Sequence, residues 1–236
     1  FSDINNPVEL DRLDLGAPVH TLTYKDNYTY VCTSDNQLMI VNATDILDLN
    51  LVSSTDLGDI SATSFLVDGD ILYASGYDST KTVNPERLHR GNVLSIDISN
   101  KSDPTPFPEI FIDGISAVGL SLLDNKLFTG ACAEGIKVID TTTPSSLELL
   151  GYYDDYQDTY CDGGADYALY PKLYEDGTYG NLLIFVSMGC GLTIINADGF
   201  EFEFSIPGFE VYTLTFSIII GLSFIFVRLR RRLKSS

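Results

Sequence analysis

One pattern returns four times along this 236-residue chain and restricts its fold more than any other feature. It consists of an apolar strand, a tight Asp turn, a second strand, and a third strand ending in Asp or Asn. The turns read Asp26-Asn27, Asp68-Gly69, Asp124-Asn125 and Asp176-Gly177, pairs suited to two-residue hairpin loops that need positive φ. The strands that follow read Tyr28-Thr29-Tyr30-Val31, Ile71-Leu72-Tyr73-Ala74, Lys126-Leu127-Phe128-Thr129 and Leu182-Leu183-Ile184-Phe185-Val186. The third strands read Leu38-Met39-Ile40-Val41-Asn42, Val93-Leu94-Ser95-Ile96-Asp97, Ile136-Lys137-Val138-Ile139-Asp140 and Leu192-Thr193-Ile194-Ile195-Asn196.

A segment with Pro, as in Ile98 to Pro104 and Thr141 to Pro144, leads to a fourth strand such as Leu147-Glu148-Leu149-Leu150. Four antiparallel strands per unit, at a base period of about 43 residues, predict an all-β chain built of β-propeller blades. About four blades fit residues 1–200. The Ile96-Asp97-Ile98-Ser99-Asn100 and Lys137-Val138-Ile139-Asp140 signatures resemble the LVIVD repeat of bacterial and archaeal surface proteins, which is read as a propeller blade. The resemblance covers about residues 1–196 and implies a surface-exposed propeller.

Ser2 to Pro7 matches the end of a third strand, so Val8 to Leu13 is expected to be a fourth strand, while residues 167–196 supply only three. Joining the two ends would close a ring of four. The start in mid-motif at Phe1 reads instead as part of a larger ring, and this reading is favoured.

The far end of the chain has a different character. From Val211 to Val227 no charge interrupts a run rich in Ile, Phe, Leu and Val, and Arg228-Leu229-Arg230-Arg231-Arg232-Leu233-Lys234 follows at once. As a helix the run spans roughly 26 Å, slightly short of a bilayer core, with Tyr212 and snorkelling arginines to cover the difference. The expectation is a linker at 201–210, a transmembrane helix at 211–227 and a cytoplasmic basic tail at 228–236. The positive-inside rule then puts the propeller outside the cell, in a single-pass arrangement that uses membrane lipid as a partner. Ser205-Ile206-Pro207-Gly208-Phe209 before the helix resembles the C-terminal Pro-Gly-Phe sorting signals of archaeal surface proteins, though the long Thr-rich spacer usual upstream is missing.

Charge supports an exterior setting and argues against one class of partner. Lys and Arg total 14 against 33 Asp and Glu, with five of the 14 in the last nine residues, so the remainder carries about −24. Such a surface repels nucleic-acid phosphates, and no nucleic-acid partner is expected. Sequons at Asn27, Asn42 and Asn100 fit a glycosylated exterior.

Two blades carry insertions. The second is thirteen residues longer than the first or third from turn Asp to terminal Asp, with Gly76 to Gly91 the expected site, and the connection from Asp140 to Asp176 is also long. Strand order places both on one rim, and loops on a rigid scaffold are where binding usually sits. The first insertion supplies Lys81, Arg87, His89 and Arg90, and the second Tyr153, Asp154, Asp155, Tyr156, Asp158, Tyr160 and Asp162, as candidate binding residues for a surface protein or glycan. The clustered carboxylates and Gly163-Gly164 suit Ca2+, a hard cation, although no EF-hand spacing occurs; no other cofactor is expected.

Cys132, Cys161 and Cys190 share that rim, where one disulfide among them suits an oxidising exterior. Spacing does not choose the pair. Cys32 reads as a small buried residue, and only His20 and His89 offer imidazoles. No Gly-x-Ser-x-Gly, His-Glu-x-x-His, phosphate loop or haem motif is found, so no catalytic residue is assigned. His89 with Asp78 or Glu86 is the nearest acid/base set. The function expected is a membrane-anchored binding or envelope-scaffold module. The alternative is an extracellular lyase, hydrolase or redox enzyme with part of its catalytic set on further blades.

Overall fold

The computed structural model describes residues 8–78, 80, 90–112, 116–132, 134–153, 168–187 and 191–198. These form only strands and turns, in four antiparallel sheets. The first sheet orders β1 (Val19–Lys25), β2 (Tyr28–Thr33), β3 (Gln37–Asn42) and β4 (Asn50–Asp56). The second orders β5 (Ile60–Asp68), β6 (Ile71–Asp78), β7 (Arg90–Asp97) and β8 (Thr105–Pro106), and β9 (Ile110–Ile112) also pairs with β7. The third holds β10 (Val118–Leu123), β11 (Lys126–Gly130), β12 (Ile136–Asp140) and β13 (Glu148–Tyr153); the fourth holds β14 (Ala168–Asp176), β15 (Gly180–Ser187) and β16 (Gly191–Asn196).

Two hairpin turns match their expectation and two differ. Lys25 pairs with Tyr28 across Asp26 (φ 50°) and Asn27 (φ 66°), and Leu123 pairs with Lys126 across Asp124 (φ 51°) and Asn125. Asn and Asp tolerate this left-handed region better than most residues. In the second sheet Asp68 pairs directly with Ile71, so the loop is Gly69-Asp70 and Gly69 takes the positive φ, 53°. In the fourth, Asp176 pairs with Gly180 around a three-residue loop. Asp176 Oδ1 accepts the backbone N–H groups of Thr178 and Tyr179 at 2.8 and 2.9 Å, and Gly180 (φ 76°) returns the chain to the ladder.

The Asp or Asn closing each third strand has a structural reason. Asn42, Asp97, Asp140 and Asn196 each accept, through Oδ1, the N–H two residues on, at 2.9, 2.8, 2.7 and 2.8 Å. The intervening N–H of Ala43, Ile98, Thr141 or Ala197 donates to the carbonyl of Asn27, Asp70, Asn125 or Asn181 near the hairpin loop. A short acceptor side chain therefore turns the backbone off the ladder at the same point in all four sheets.

Packing explains why the strands before it are apolar without alternation. β7 and β12 are buried on both faces, because a neighbouring sheet lies on each side, and β3, which meets the second sheet through Leu38 and Ile40, is buried along its length as well. Tyr30, Cys32, Leu38 and Ile40 of the first sheet meet Ile60, Phe65, Leu72, Leu94 and Ile96 of the second. Tyr73, Val93 and Ile112 of the second meet Leu120, Leu127 and Ile139 of the third. Each such fully buried side chain contributes about 1.5–3 kcal/mol. First strands pack in succession, β1 on β5, β5 on β10 and β10 on β14.

The expected N-terminal strand is not formed. Residues 8–13 lie in no ladder, with Val8 and Leu10 exposed, and Asp11 Oδ2 instead accepts the N–H of Leu49 at 2.8 Å. Among the described residues β16 pairs with β15 alone, so this sheet has three strands. The expected membrane helix at 211–227 lies outside the described residues; among those described, no helix is long and apolar enough to cross a membrane.

Candidate functional site

Register defines one end of the sheets as the insertion-bearing end. Gly76, Tyr77 and Asp78 pair with Asn92, Gly91 and Arg90, which narrows the first insertion from the expected 76–91 to residues 79–89. The second leaves β13 at Tyr153 and rejoins at β14, and Tyr153 pairs with Ile136, the first residue of β12. Second strands end, third strands begin and fourth strands end here, so both insertions leave the same end of their sheets.

At the base of the first insertion, ladder geometry gathers polar groups on one face of the second sheet. Arg90 opens β7 rather than sitting in a loop, and its guanidinium carbon lies 4.3 Å from the centre of the Phe111 ring, a cation–π contact. Two residues on, fully buried Asn92 donates through Nδ2 to Glu109 Oε2 at 3.0 Å. Opposite Arg90, the fully buried Asp78 accepts the backbone N–H of Thr80 at 2.8 Å and its hydroxyl at 2.6 Å, and that hydroxyl lies 3.3 Å from Asp59 Oδ2. These bonds tie down the strand end from which the insertion departs.

The first strands reach the same end through a shared irregularity. Each carries a register shift at closely similar height, between Val19 and Thr21, Ala62 and Ser64, Val118 and Leu120, and Leu169 and Lys172. Such bulges bend a strand and re-aim its side chains, and here they serve contacts between sheets. Ser61 Oγ lies 3.4 Å from His20 Nδ1, Thr63 Oγ1 donates to the carbonyl of Ala117 at 2.8 Å, and Ser121 Oγ donates to that of Pro171 at 2.7 Å. Gly119 (φ 76°) sits so close to β14 that a Cβ there would lie 2.5 Å from Tyr170 Cα. Tyr153 joins the third and fourth sheets through an edge-on contact with Phe185, centroids 6.0 Å apart.

Of the residues expected to bind, the structure thus places Arg90 and Tyr153 at the two insertion bases, each on an aromatic ring. Lys81, Arg87, His89, Asp154, Asp155, Tyr156, Asp158, Tyr160 and Asp162 lie outside the described residues, as do Cys161, Cys190 and hence the Ca2+ loop. Cys132 is buried in the β11–β12 connection with φ 53°, and burial pushes its thiol above the ordinary range, as it does that of Cys32. Among the described residues no group of three or more His, Cys, Asp or Glu side chains is arranged to hold a metal. Sequence reading passed over Asn92, Glu109 and Phe111, because only the ladder brings them beside Arg90.

This architecture has counterparts. Residues 20–56, which span the first sheet, and 90–107, which cover the third strand of the second, match the LVIVD repeat model. These two segments are LVIVD-like. No curated protein matches it in sequence. In structure it is similar to the computationally designed Ika4 protein, with a TM-score of 0.53 and 13% identity over 81% of this chain and 98% of that one. The designed Ika8 protein gives a TM-score of 0.49 at 14% identity over 76% of this chain and 46% of its own. A hypothetical selenium-binding protein from Sulfolobus tokodaii gives 0.47 at 10% identity over 76% and 54%. The chain spans about half the length of these last two.

Proposed function

We propose that the four LVIVD-type sheets are blades of a β-propeller displayed at the cell surface, held by a transmembrane helix at 211–227 with the basic tail at 228–236 inside, and used as a binding or envelope-scaffold module. The observation that carries this reading is the placement of both insertions at one end of a repeated, rigidly bonded array. Strands buried on both faces are committed to packing, so connections alone are free to lengthen without cost to the core. The insertion-bearing rim, with Arg90 and Tyr153 anchoring the two loops, is the binding surface for a surface protein or glycan. The Pro-Gly-Phe segment before the helix supports anchorage of the archaeal surface-protein type.

Protease shaving of intact cells tests the arrangement. Release of residues 1 to about 200 with retention of the tail is expected; a chain that stays wholly protected, or that leaves with the soluble cytoplasm, overturns it.

A further inference from the structure

The three sequons, scattered along the chain, are gathered by the fold at the end of the sheets opposite the insertions. Asn27 lies in the β1–β2 hairpin loop. Asn42 closes β3 in the ladder position opposite Tyr28, the middle residue of the first sequon, and the carbonyl of Asn27 accepts the N–H of Ala43 at 2.8 Å. Asn100 lies three residues beyond Asp97, which pairs with Ile71 at the hairpin end of the second sheet. The middle residues of the first and third sequons then meet, with Lys101 Nζ 5.7 Å from the centre of the Tyr28 ring. Ser53 Oγ of β4 fixes this junction by donating to the carbonyl of Lys101 at 2.7 Å.

Exposure separates the three amides. Asn27 and Asn100 are exposed. Asn42 is half-buried at the end of a strand paired on both sides, and its Oδ1 is committed to the N–H of Thr44 at 2.9 Å. At Asn100 the hydroxyl that completes the acceptor motif sits on the amide, Ser102 Oγ donating to Oδ1 at 2.8 Å. At Asn27 the exposed Tyr24 donates its hydroxyl to Oδ1 at 3.2 Å, which holds an aromatic ring within reach of a sugar built on Nδ2. Such a ring offers an apolar face for sugar C–H groups beside a polar edge. Exposed Ile46 and Leu47, in the turn after Asn42, add apolar surface at the same end.

We infer that Asn27 and Asn100 carry N-linked glycans, which cover the end of the first two sheets opposite the insertion-bearing rim, and that Asn42 between them stays unmodified. This rests on the reading that the sheets stand outside the cell. In the transfer, Nδ2 displaces the phosphate of a lipid-phosphate-linked oligosaccharide. The Nδ2–C1 bond forms, the C1–O bond to phosphate breaks, and the proton lost from Nδ2 leaves with the freed phosphate. Bulky, solvated sugar at these two positions leaves the packed sheets undisturbed and the opposite end clear for a partner.

The test is peptide mass mapping of the full chain taken from the membranes of the cells that make it, with protease shaving of the same cells alongside. Cleavage before Asp separates Asn27 (residues 26–34), Asn42 (35–44) and Asn100 (97–102). The first and third peptides are expected to carry a glycan, recognised by its sugar fragment ions, and the second none. Thr29→Ala and Ser102→Ala are each expected to lower the intact mass by one glycan, while Thr29→Ser and Ser102→Thr retain it, which distinguishes loss of the acceptor motif from a folding defect. A bare Asn27 or Asn100 in a chain that shaving releases overturns the inference and leaves the surface reading standing. Bare asparagines in a chain that shaving does not release overturn both. Sugar on Asn42 overturns the selection by burial.

Discussion

Asp140 Oδ1 accepts the backbone N–H of Thr142 at 2.7 Å, and the bond recurs at Asn42, Asp97 and Asn196. Hydrogen bonds from Thr142 and Ser99, side chain first and backbone second, hold the carboxyls of Asp140 and Asp97 below their ordinary range. A carboxylate depressed on folding contributes stability that is complete above its unfolded pKa, near 3.8, and is lost as pH falls through the lower folded value. Melting temperature measured from about pH 6 to about pH 2 should therefore show an acid limb beginning just below the unfolded carboxylate pKa. Asp97→Asn with Asp140→Asn, which copies the first and fourth repeats, should keep neutral-pH stability and shallow that limb. An unchanged limb would assign acid sensitivity elsewhere.

Gly76 and Gly69 separate close approach from backbone conformation, while Gly119 (φ 76°) combines the two. A Cβ at Gly76 would lie 2.2 Å from the Ser61 carbonyl oxygen, and one at Gly119 2.5 Å from Tyr170 Cα, both on backbone atoms that cannot swing aside. Gly76→Ala and Gly119→Ala should each cost about 2 kcal/mol or more in urea unfolding. Gly69, with φ 53° and nothing within 4 Å, should cost only about 1 kcal/mol as Ala and less as Asn.

Truncating the shared core should be costly wherever a sheet covers it. Ile96→Ala and Leu38→Ala, both fully buried between the first and second sheets, are expected to lose about 2–5 kcal/mol each. Leu47→Ala, in an exposed turn, should stay within about 0.5 kcal/mol. Equal effects at Leu38 and Leu47 would contradict the double-sided burial of β3.

Thiol chemistry at the rim gives a direct readout. Burial raises the pKa of Cys32 and Cys132, so neither supplies much thiolate at neutral pH. Peptides containing them should resist alkylation in the native protein and react after unfolding without reductant. If Cys132 reacts only once reductant is added, it is held in a disulfide.

The repeat, its three complete four-strand sets and the end from which the insertions leave were legible in the sequence, because Asp-Asn turns and uninterrupted apolar runs state their physics locally. Register was less so. Asp68 and Asp176 look like Asp26, yet Gly69 takes the positive φ in one turn and Asp176 caps a longer loop in the other. Residues 8–13 show that apolar residues at strand spacing do not by themselves form a ladder. The bulges at His20, Thr63 and Gly119 left no local mark, since their cause is the neighbouring sheet. Arg90 read as part of a solvated loop because its partner Phe111 arrives from β9, twenty-one residues later.

The most direct measurement is on a chain with residues 81–89 and 154–167 both replaced by short Gly-containing turns, Thr80 being kept because it donates to buried Asp78. Binding of the fluorescently labelled ectodomain to isolated cell envelopes is compared with that of the unaltered ectodomain, alongside melting temperature. The insertion-bearing rim as binding surface requires envelope binding to be lost while melting temperature changes by no more than about 2 °C. Envelope binding that survives the double replacement in a folded protein would contradict it.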